Sequence, residues 1–351
     1  MKGLVHGGDL YGYTSPPIDF SVNTNPLGLP ASVRQALFHA SECWERYPDP
    51  LCRTLCERIA VRDQVHTDWV HCGNGAADLL YRIALSLRPA RALIAAPTFS
   101  EYESALDAVG CIVKRHLLQE SEGFQLTERV LEQIEPALNL VVLCNPNNPT
   151  GLPIDHSLLL RILNRCAKFG ILLLVDECFL PFLPEGQEGL QGRLAEFPNL
   201  LLLRAFTKLY AMAGLRLGYL LCSDQTVLER IQICEPPWNV SGPAQIAGLA
   251  ALECNSAYLE QTRKLVHRER SYLETELHSV GAVCFGSQAN YLFFKLEGCC
   301  DLREKLVNKG YLIRSCGNYH GLDGQFYRIA VKMHEENAGL IRAIKEVLGT
   351  K

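Results

Sequence analysis

The sequence predicts an α/β protein with a large domain built on a mainly parallel sheet and a smaller C-terminal α+β domain. From about residue 69 to 235, short apolar runs bounded by turn residues alternate with longer amphipathic stretches, which is typical of βα units on a parallel sheet. After residue 280 the strand-like runs lie closer together. A chain of 351 residues, 48% of them hydrophobic, is long enough to bury two such cores.

The large domain is expected to follow an N-terminal arm. The first 30 residues are rich in Gly, Pro and Asn and predict an extended segment with turns. The strands predicted next are short and apolar throughout, as strands covered by helices on both faces must be. They span 69–72, 92–96, 140–144, 171–175, 200–204 and 217–222, with helices at 76–87, 99–109 and 155–169.

The second half of the chain begins with a long helical pattern after Pro236-Pro237. We expect one helix over 242–279, followed by strands at 282–286, 290–296, 311–315 and 326–331 and helices at 301–309 and 335–348. The predicted division is therefore an arm (1–30), a large domain (31–240), a connecting long helix (241–280) and a small domain (281–351).

Composition and charge exclude several classes of protein. The 34 basic and 38 acidic residues give a net charge of -4, which offers no field for nucleic acid or an anionic membrane. The chain has no run resembling a signal-peptide core or a membrane span, so we expect a cytoplasmic protein. Its fifteen cysteines include no CxxC pair, and we interpret them as reduced, mostly buried thiols. The sequence predicts no metal site.

A lysine at the end of an apolar strand is the first candidate for chemistry. Lys208 follows the predicted strand 200–204, and Arg216 comes eight residues later. Partial desolvation at such a position lowers a lysine pKa and makes the neutral amine available as a nucleophile. Thr207 and Arg216 could grip a phosphate nearby; the alternative is a surface lysine with a salt-bridged arginine.

Three further strand ends carry polar groups or glycine. Asp176 ends a buried strand, where α/β proteins place ligand contacts, and a carboxylate there can hold a pyridine nitrogen protonated or cap a helix. Asn148, in the turn-rich segment 144–151, could bind a phenolic oxygen or lie in a plain loop. The amides of Gly75 and Ala76 would face a phosphate at a helix N-terminus.

Together these segments resemble the fold-type I pyridoxal-phosphate enzymes, which have the aspartate aminotransferase fold. Within this class I/II aminotransferase superfamily, the similarity is to the group of histidinol-phosphate aminotransferases and the threonine-phosphate decarboxylases of cobalamin biosynthesis. It rests on Asn-Pro-x-Asn-Pro-Thr-Gly, the Asp-Glu pair, Thr-Lys with its Arg eight residues on, and Tyr-Arg-Ile-Ala at 327–330, in the family's order.

The resemblance implies a pyridoxal 5'-phosphate cofactor and assigns roles around it. Lys208 would form the Schiff base, Asp176 would bind the pyridine nitrogen and Asn148 the phenolic oxygen. Phe99 would stack on the ring, unless it is an ordinary core aromatic. Tyr47 would reach the cofactor phosphate of a neighbouring subunit, which implies a homodimer with shared sites; a solvent-facing turn tyrosine is the alternative.

The same resemblance favours a decarboxylase over an aminotransferase. The opening segment 5–11 looks like that of threonine-phosphate decarboxylases, so His6 would reach a substrate phosphate and Asn25 would line the substrate pocket. Phe179 stands where aminotransferases commonly have a tyrosine. Arg314 and Arg328 would complete the anion cluster, with Arg328 mainly on the carboxylate and Arg314 on the phosphate; the two assignments could be exchanged.

The implied reaction is decarboxylation of L-threonine O-3-phosphate to (R)-1-amino-2-propanol phosphate, which supplies the cobalamin nucleotide-loop linker. Two alternatives stay open: an aminotransferase acting on histidinol phosphate or a similar amino phosphate, and a serine-phosphate decarboxylase. The serine and threonine substrates differ by one methyl group, worth only about 1 to 3 kcal/mol in a pocket. A non-catalytic sensor of the same fold is disfavoured because Lys208, Asp176, Asn148 and Arg216 are all present.

Overall fold

A seven-stranded sheet lies at the centre of the large domain. The computed structural model describes residues 6–187, 189–254 and 256–349. The strand order is β2-β8-β7-β6-β5-β3-β4, with β3 to β7 parallel and β8 antiparallel to both of its neighbours. The strands are β2 (Val70–Gly73), β3 (Arg91–Ala96), β4 (Ile112–Leu117), β5 (Leu140–Cys144), β6 (Leu172–Asp176), β7 (Leu200–Ala205) and β8 (Gly218–Leu221).

Helices cover both faces of this sheet. Along β5, Val141 and Leu143 belong to one apolar core, whereas Leu140 and Val142 belong to the core on the opposite face. This explains why the central strands are apolar throughout. The helices up to the start of the small domain are α1 (Ala31–His39), α2 (Arg53–Asp63), α3 (Ala76–Leu87), α4 (Glu101–Asp107), α5 (Arg129–Gln133), α6 (His156–Lys168), α7 (Phe206–Leu209), α8 (Gln225–Ile233), α9 (Gly242–Leu252) and α10 (Ser256–Ser279).

The sheet order brings four predicted site segments to one edge. The neighbouring strands β3, β5, β6 and β7 are parallel, so their carboxyl ends lie side by side. Phe99, Asn148 and Lys208 follow β3, β5 and β7, and Asp176 is the last residue of β6. The topology therefore assembles them without any long connection.

A second, antiparallel sheet forms the small domain, in the order β12-β13-β10-β9. It packs with α10 and two C-terminal helices around its own apolar core. Arg314 and Arg328 are directly opposite each other on β12 and β13. The elements are β9 (Val283–Cys284), β10 (Tyr291–Lys295), α11 (Leu302–Val307), β11 (Tyr311–Leu312), β12 (Arg314–Ser315), β13 (Phe326–Ala330) and α12 (His334–Leu348).

The N-terminal arm joins the small domain. Its strand β1 (Ile18–Asp19) pairs in parallel with β11, and Phe20 is buried in the small-domain core. Because β1 has only two residues, no apolar run marks it in the sequence.

The structure differs from the sequence prediction at further places. The strand expected over 311–315 is two strands, β11 and β12, which belong to two different sheets. Strand β4 was not predicted, because it lies at the sheet edge beside β3 alone and is largely exposed. The single helix expected over 242–279 is two helices: α9 packs on α1 and α2, whereas α10 packs against α12 and the small-domain strands. One straight helix could not pack on both the large-domain helices and the small-domain strands. No helix within the described ranges is long and apolar enough to cross a membrane.

Candidate active site

A cavity of about 570 Å³ opens at the carboxyl edge of the large sheet. Asp176 and Lys208 line it at the edge of the large sheet, and Arg314 and Arg328 line it from β12 and β13. His6 of the N-terminal arm also lines it. The cavity is therefore lined by residues of the arm, the large domain and the small domain.

Lys208 is a half-buried lysine just after the end of β7. Helix α7 begins one residue after the strand ends and carries Lys208 into the cavity. Burial, and then repulsion from Arg328, lower the pKa of Lys208 to about 8. Its Nζ lies 5.6 Å from the centre of the Phe179 ring. A neutral amine near physiological pH is the form needed for attack on a carbonyl carbon.

Asp176 is held by two donors in the cavity floor. The Tyr102 hydroxyl donates to Oδ2 at 2.6 Å, and the backbone N–H of Cys178 donates to Oδ1 at 2.9 Å. Burial and then the charge of Asp176 raise the pKa of the Tyr102 hydroxyl well above its ordinary value, so this hydroxyl remains a donor. Asp176 is thus a fixed carboxylate able to hold a proton on a ring nitrogen.

The turn before α3 forms a cradle for an anion. Gly75 precedes the helix with φ +85°, and a Cβ placed there would lie 2.7 Å from a guanidinium nitrogen of Arg216. Only glycine accepts this conformation and this close approach without strain. Ala76, Thr207 and Arg216 line the cavity beside it. Helix N-terminal amides, a hydroxyl and a guanidinium together suit a phosphate.

Two buried arginines face the cavity without a carboxylate partner. Arg328 donates to the side-chain oxygen of Asn148 and, at 2.6 Å, to the carbonyl oxygen of Ser21. Arg314 donates to Oδ1 of Asn318 at 2.9 Å and lies over the Tyr319 ring. Both are at least nine-tenths buried. Within the part of the chain that the structure describes, neither forms an ion pair, and buried unpaired cations call for an anionic ligand.

His6 lies on the cavity wall, but its contact is an acid. Its Nε2 is 2.9 Å from Oε1 of Glu101, and the Tyr81 hydroxyl donates to the other oxygen of that carboxylate at 2.9 Å. Sequence reasoning grouped His6 with Arg314 and did not include Glu101. The structure brings His6 and Arg314 into the same cavity, with His6 paired to Glu101.

Of the remaining predicted residues, Phe99 is on the cavity wall, edge-on to Tyr102. Tyr47 is exposed outside the cavity and stacks on Trp238.

Asn25 is placed differently from the expectation that it lines the substrate pocket. Its amide donates to the carbonyl oxygen of Leu209 at 2.8 Å, so it is buried behind the segment that carries Lys208. Its two amide N–H groups have three acceptors within 3.0 Å, the carbonyl oxygen of Leu209 and the hydroxyls of Tyr258 and Thr262, so neither is left for a substrate.

Sequence reasoning missed Tyr102 and Glu101. Both lie in the segment Pro-Thr-Phe-Ser-Glu-Tyr, from which only Phe99 was selected. Tyr102 lies three residues after Phe99, a spacing that brings two side chains to one face near a helix start. The choice of Phe99 was therefore the signal that could have indicated Tyr102. Glu101 gave no signal, because its partners come from α3 and the arm.

Residues 15–344 match the family described as aminotransferase class I and II. The chain belongs to this family. It is 39% identical to threonine-phosphate decarboxylase of Salmonella typhimurium, with 94% of this chain and 91% of the relative covered. It is 32% identical to histidinol-phosphate aminotransferase of Desulfitobacterium hafniense, with 94% and 92% covered. The crystal structure of histidinol-phosphate aminotransferase from Clostridium acetobutylicum superposes with a TM-score of 0.88 at 28% identity, covering 95% of this chain and 99% of that one.

The cofactor of this aminotransferase-family enzyme is pyridoxal 5'-phosphate, and the residues present fit it. The glycine cradle with Arg216 and Thr207 suits its phosphate, Asp176 suits its ring nitrogen, and Lys208 supplies the amine. Thr207 and Lys208 follow β7, Gly75 follows β2 and Asp176 ends β6, so one chain brings these contacts together from three strand ends.

Proposed function

We propose that this chain decarboxylates L-threonine O-3-phosphate to (R)-1-amino-2-propanol phosphate, the linker of the cobalamin nucleotide loop. The observation that carries the proposal is the cross-strand pair Arg314 and Arg328, buried beside the cavity with no carboxylate partner among the described residues. Two unpaired guanidinium groups suit a substrate with two anionic groups. The relative at 39% identity is a threonine-phosphate decarboxylase, which supports the same substrate.

Each arginine has a proposed partner on the substrate. Arg328, next to Asn148 and nearer the cofactor contacts, binds the carboxylate, and Arg314 with His6 binds the phosphate. Two nitrogens of Arg328 already donate to protein oxygens, so its hold on the carboxylate is moderate. This suits decarboxylation, because tight ground-state binding of a charge that must leave would oppose the reaction.

The bound cofactor supplies an electron sink for the pair of electrons left when the bond between Cα and the carboxylate breaks. Asp176, fixed by Tyr102, keeps the proton on the ring nitrogen. Arg314, Arg328 and His6 orient the substrate, which decides the bond at Cα that is cleaved. Lys208 Nζ is the group we assign to return a proton to Cα after the carboxylate has left.

The main competing function is an aminotransferase acting on histidinol phosphate or a similar amino phosphate. Phe179 favours the decarboxylase, since it packs beside Lys208 and has no hydroxyl to offer the cofactor. The test is to incubate pure holoenzyme with threonine phosphate and no keto acid. We expect CO2 release; turnover only with 2-oxoglutarate and without CO2 would overturn the proposal. Comparing kcat/KM for threonine phosphate and serine phosphate then identifies the preferred substrate.

We also propose a homodimer in which Tyr47 contacts the cofactor phosphate of the partner subunit. Tyr47 and Trp238 stack on each other at the surface, and Phe38 and Trp44 are exposed on the same part of the chain. Exposed aromatic side chains in such number are typical of a contact surface. We propose that a second copy of this chain binds this surface, because a shared active site requires a partner subunit there.

A cytoplasmic location is part of the same proposal. The cysteines whose side chains are described are free thiols, and free thiols in this number are typical of a reducing compartment. Localisation of a tagged full-length chain by fractionation tests it, and recovery in a secreted or periplasmic fraction would count against it.

A further inference from the structure

Glu101 is an unexpected acid in a cavity that is otherwise built for anions. Among the described residues that line the cavity, Asp176 is the only other carboxylate, whereas Lys208, Arg216, Arg314 and Arg328 are basic. Asp176 is explained by the ring nitrogen and Tyr102. A second carboxylate near a doubly anionic substrate weakens binding by repulsion, unless it serves another group.

Both oxygens of Glu101 are engaged by neighbouring side chains. His6 Nε2 lies 2.9 Å from Oε1, and the Tyr81 hydroxyl donates to Oε2 at 2.9 Å. Burial and then Glu101 raise the pKa of Tyr81 above its ordinary value, so Tyr81 remains a donor. Tyr81 belongs to α3, and Glu101 is the first residue of α4. The carboxylate is therefore fixed from regular structure.

His6, by contrast, belongs to a segment without regular structure. The arm is attached just after it: the Gly8 N–H donates to Ser21 Oγ at 2.8 Å, and Gly7 lies so close that a Cβ would be 2.5 Å from the Ser21 carbonyl oxygen. These contacts fix the backbone beside His6 but do not fix the direction of the imidazole ring. The polar contact with Glu101 fixes the direction of that ring.

We propose that Glu101 is a positioning residue that, held by Tyr81, orients His6 for the phosphate of the substrate. In the imidazolium form of His6, Nε2–H donates to Glu101 and Nδ1–H is left to donate to a phosphate oxygen. A carboxylate that fixes an imidazole through one nitrogen while the other binds a ligand is a familiar arrangement at metal and catalytic sites. This inference rests on the proposed function, because it takes a phosphorylated substrate as the ligand.

Glu103 provides a matched control two residues along the same helix. Both acids lie in the first turn of α4, their side chains are 12% and 14% exposed, and each pairs with a histidine, since Glu103 contacts His320. Glu103 does not line the cavity. Glu103 also pairs with Arg115, so its removal costs at least as many first-turn contacts, whereas an effect through His6 belongs to Glu101 alone.

The experiment compares Glu101→Ala, Glu101→Gln, Glu103→Ala, His6→Ala and the double variant of Glu101 and His6 as holoenzymes. For Glu101→Ala we expect the KM for threonine phosphate to rise about tenfold with kcat within about twofold, the pattern of lost substrate binding. Glu101→Gln keeps an acceptor and should recover most of the affinity, and Glu103→Ala should stay near wild type. In the His6→Ala background, Glu101→Ala should add less than about a twofold change, because the two act as a unit.

Additive effects of the two single variants, or an equal effect of Glu103→Ala, would overturn the inference. Tyr81→Phe gives a second route if Glu101→Ala folds poorly: it should raise KM in the same direction and add nothing to His6→Ala. Calorimetric titration of each holoenzyme with inorganic phosphate is independent of turnover. If the wild-type enzyme releases no CO2, the proposed function is refuted. The phosphate titration still tests the role of Glu101 in that case. An unchanged affinity for phosphate in Glu101→Ala would refute that role.

Discussion

Lys208 shows how burial and a neighbouring cation together prepare a side chain for chemistry. Its pKa of about 8 has burial as its largest cause and the neighbouring Arg328 as the next. Lys208 shares its cavity with the cofactor contact Asp176 and with the two arginines Arg314 and Arg328. A lysine at the ordinary pKa would be almost entirely protonated at neutral pH.

The lowered pKa of Lys208 predicts the pH dependence of cofactor capture. Below about pH 8 the amine is protonated and cannot attack, so the capture rate should fall about tenfold per pH unit there and level off above it. The rate of appearance of the visible cofactor band in apoenzyme mixed with pyridoxal 5'-phosphate measures this. Lys208→Ala should show no band that borohydride can fix to the protein. A break in the profile only near the ordinary lysine pKa would contradict the interpretation.

Tyr102→Phe removes one hydroxyl and little else. Asp176 would lose its 2.6 Å donor and hold the ring nitrogen less firmly. Hydrogen bonds to charged groups are worth about 1.5 to 3 kcal/mol, so we expect kcat to fall about tenfold or more, with a changed cofactor absorption spectrum. Tyr272→Phe, remote from the cavity, is the control. An unchanged spectrum and rate would show that Tyr102 only fills space.

At the scale of elements, the strand ends decide the site. Apolar runs in the sequence predicted six of the seven large-sheet strands, and the parallel order then placed Asn148, Asp176 and Lys208 together. Strand β4 was missed because its Lys114 and Arg115 are exposed at the edge. The pairing of Glu101 with His6 could not be predicted, since it joins α4 to the arm and no local pattern encodes such a contact.

The turn before α3 gives a test at this scale. Gly75→Ala should weaken pyridoxal 5'-phosphate binding by about tenfold or more, because the new Cβ meets Arg216 and strains the cradle. Gly281→Ala is the matched control, with φ +84° and nothing within 4 Å of its Cβ. Both variants lose stability from the positive φ, and Gly75→Ala should lose at least as much as Gly281→Ala in thermal unfolding. Equal cofactor affinity in the two would rule out a cradle role for Gly75.

At the scale of the whole molecule, shared sites can be tested by mixing inactive subunits. If Tyr47 serves the partner, a heterodimer of Lys208→Ala and Tyr47→Ala subunits contains one site with both native residues. A refolded equimolar mixture should then recover about a quarter of wild-type activity, because half of the dimers are mixed. Activity no greater than that of Tyr47→Ala alone would mean that Tyr47 acts within its own subunit or not at all.

The pairing of β1 with β11 has a consequence for how the enzyme is made. Ile18 and Tyr311 are partners in the finished protein, but nearly three hundred residues must be synthesised between them. Contacts so distant along the chain form late. The strand ends with Asp176 and Lys208 can assemble while synthesis continues, whereas the arm that carries His6 has no strand partner until β11 has emerged from the ribosome. A nascent chain should therefore acquire its cofactor contacts well before it can recognise its substrate.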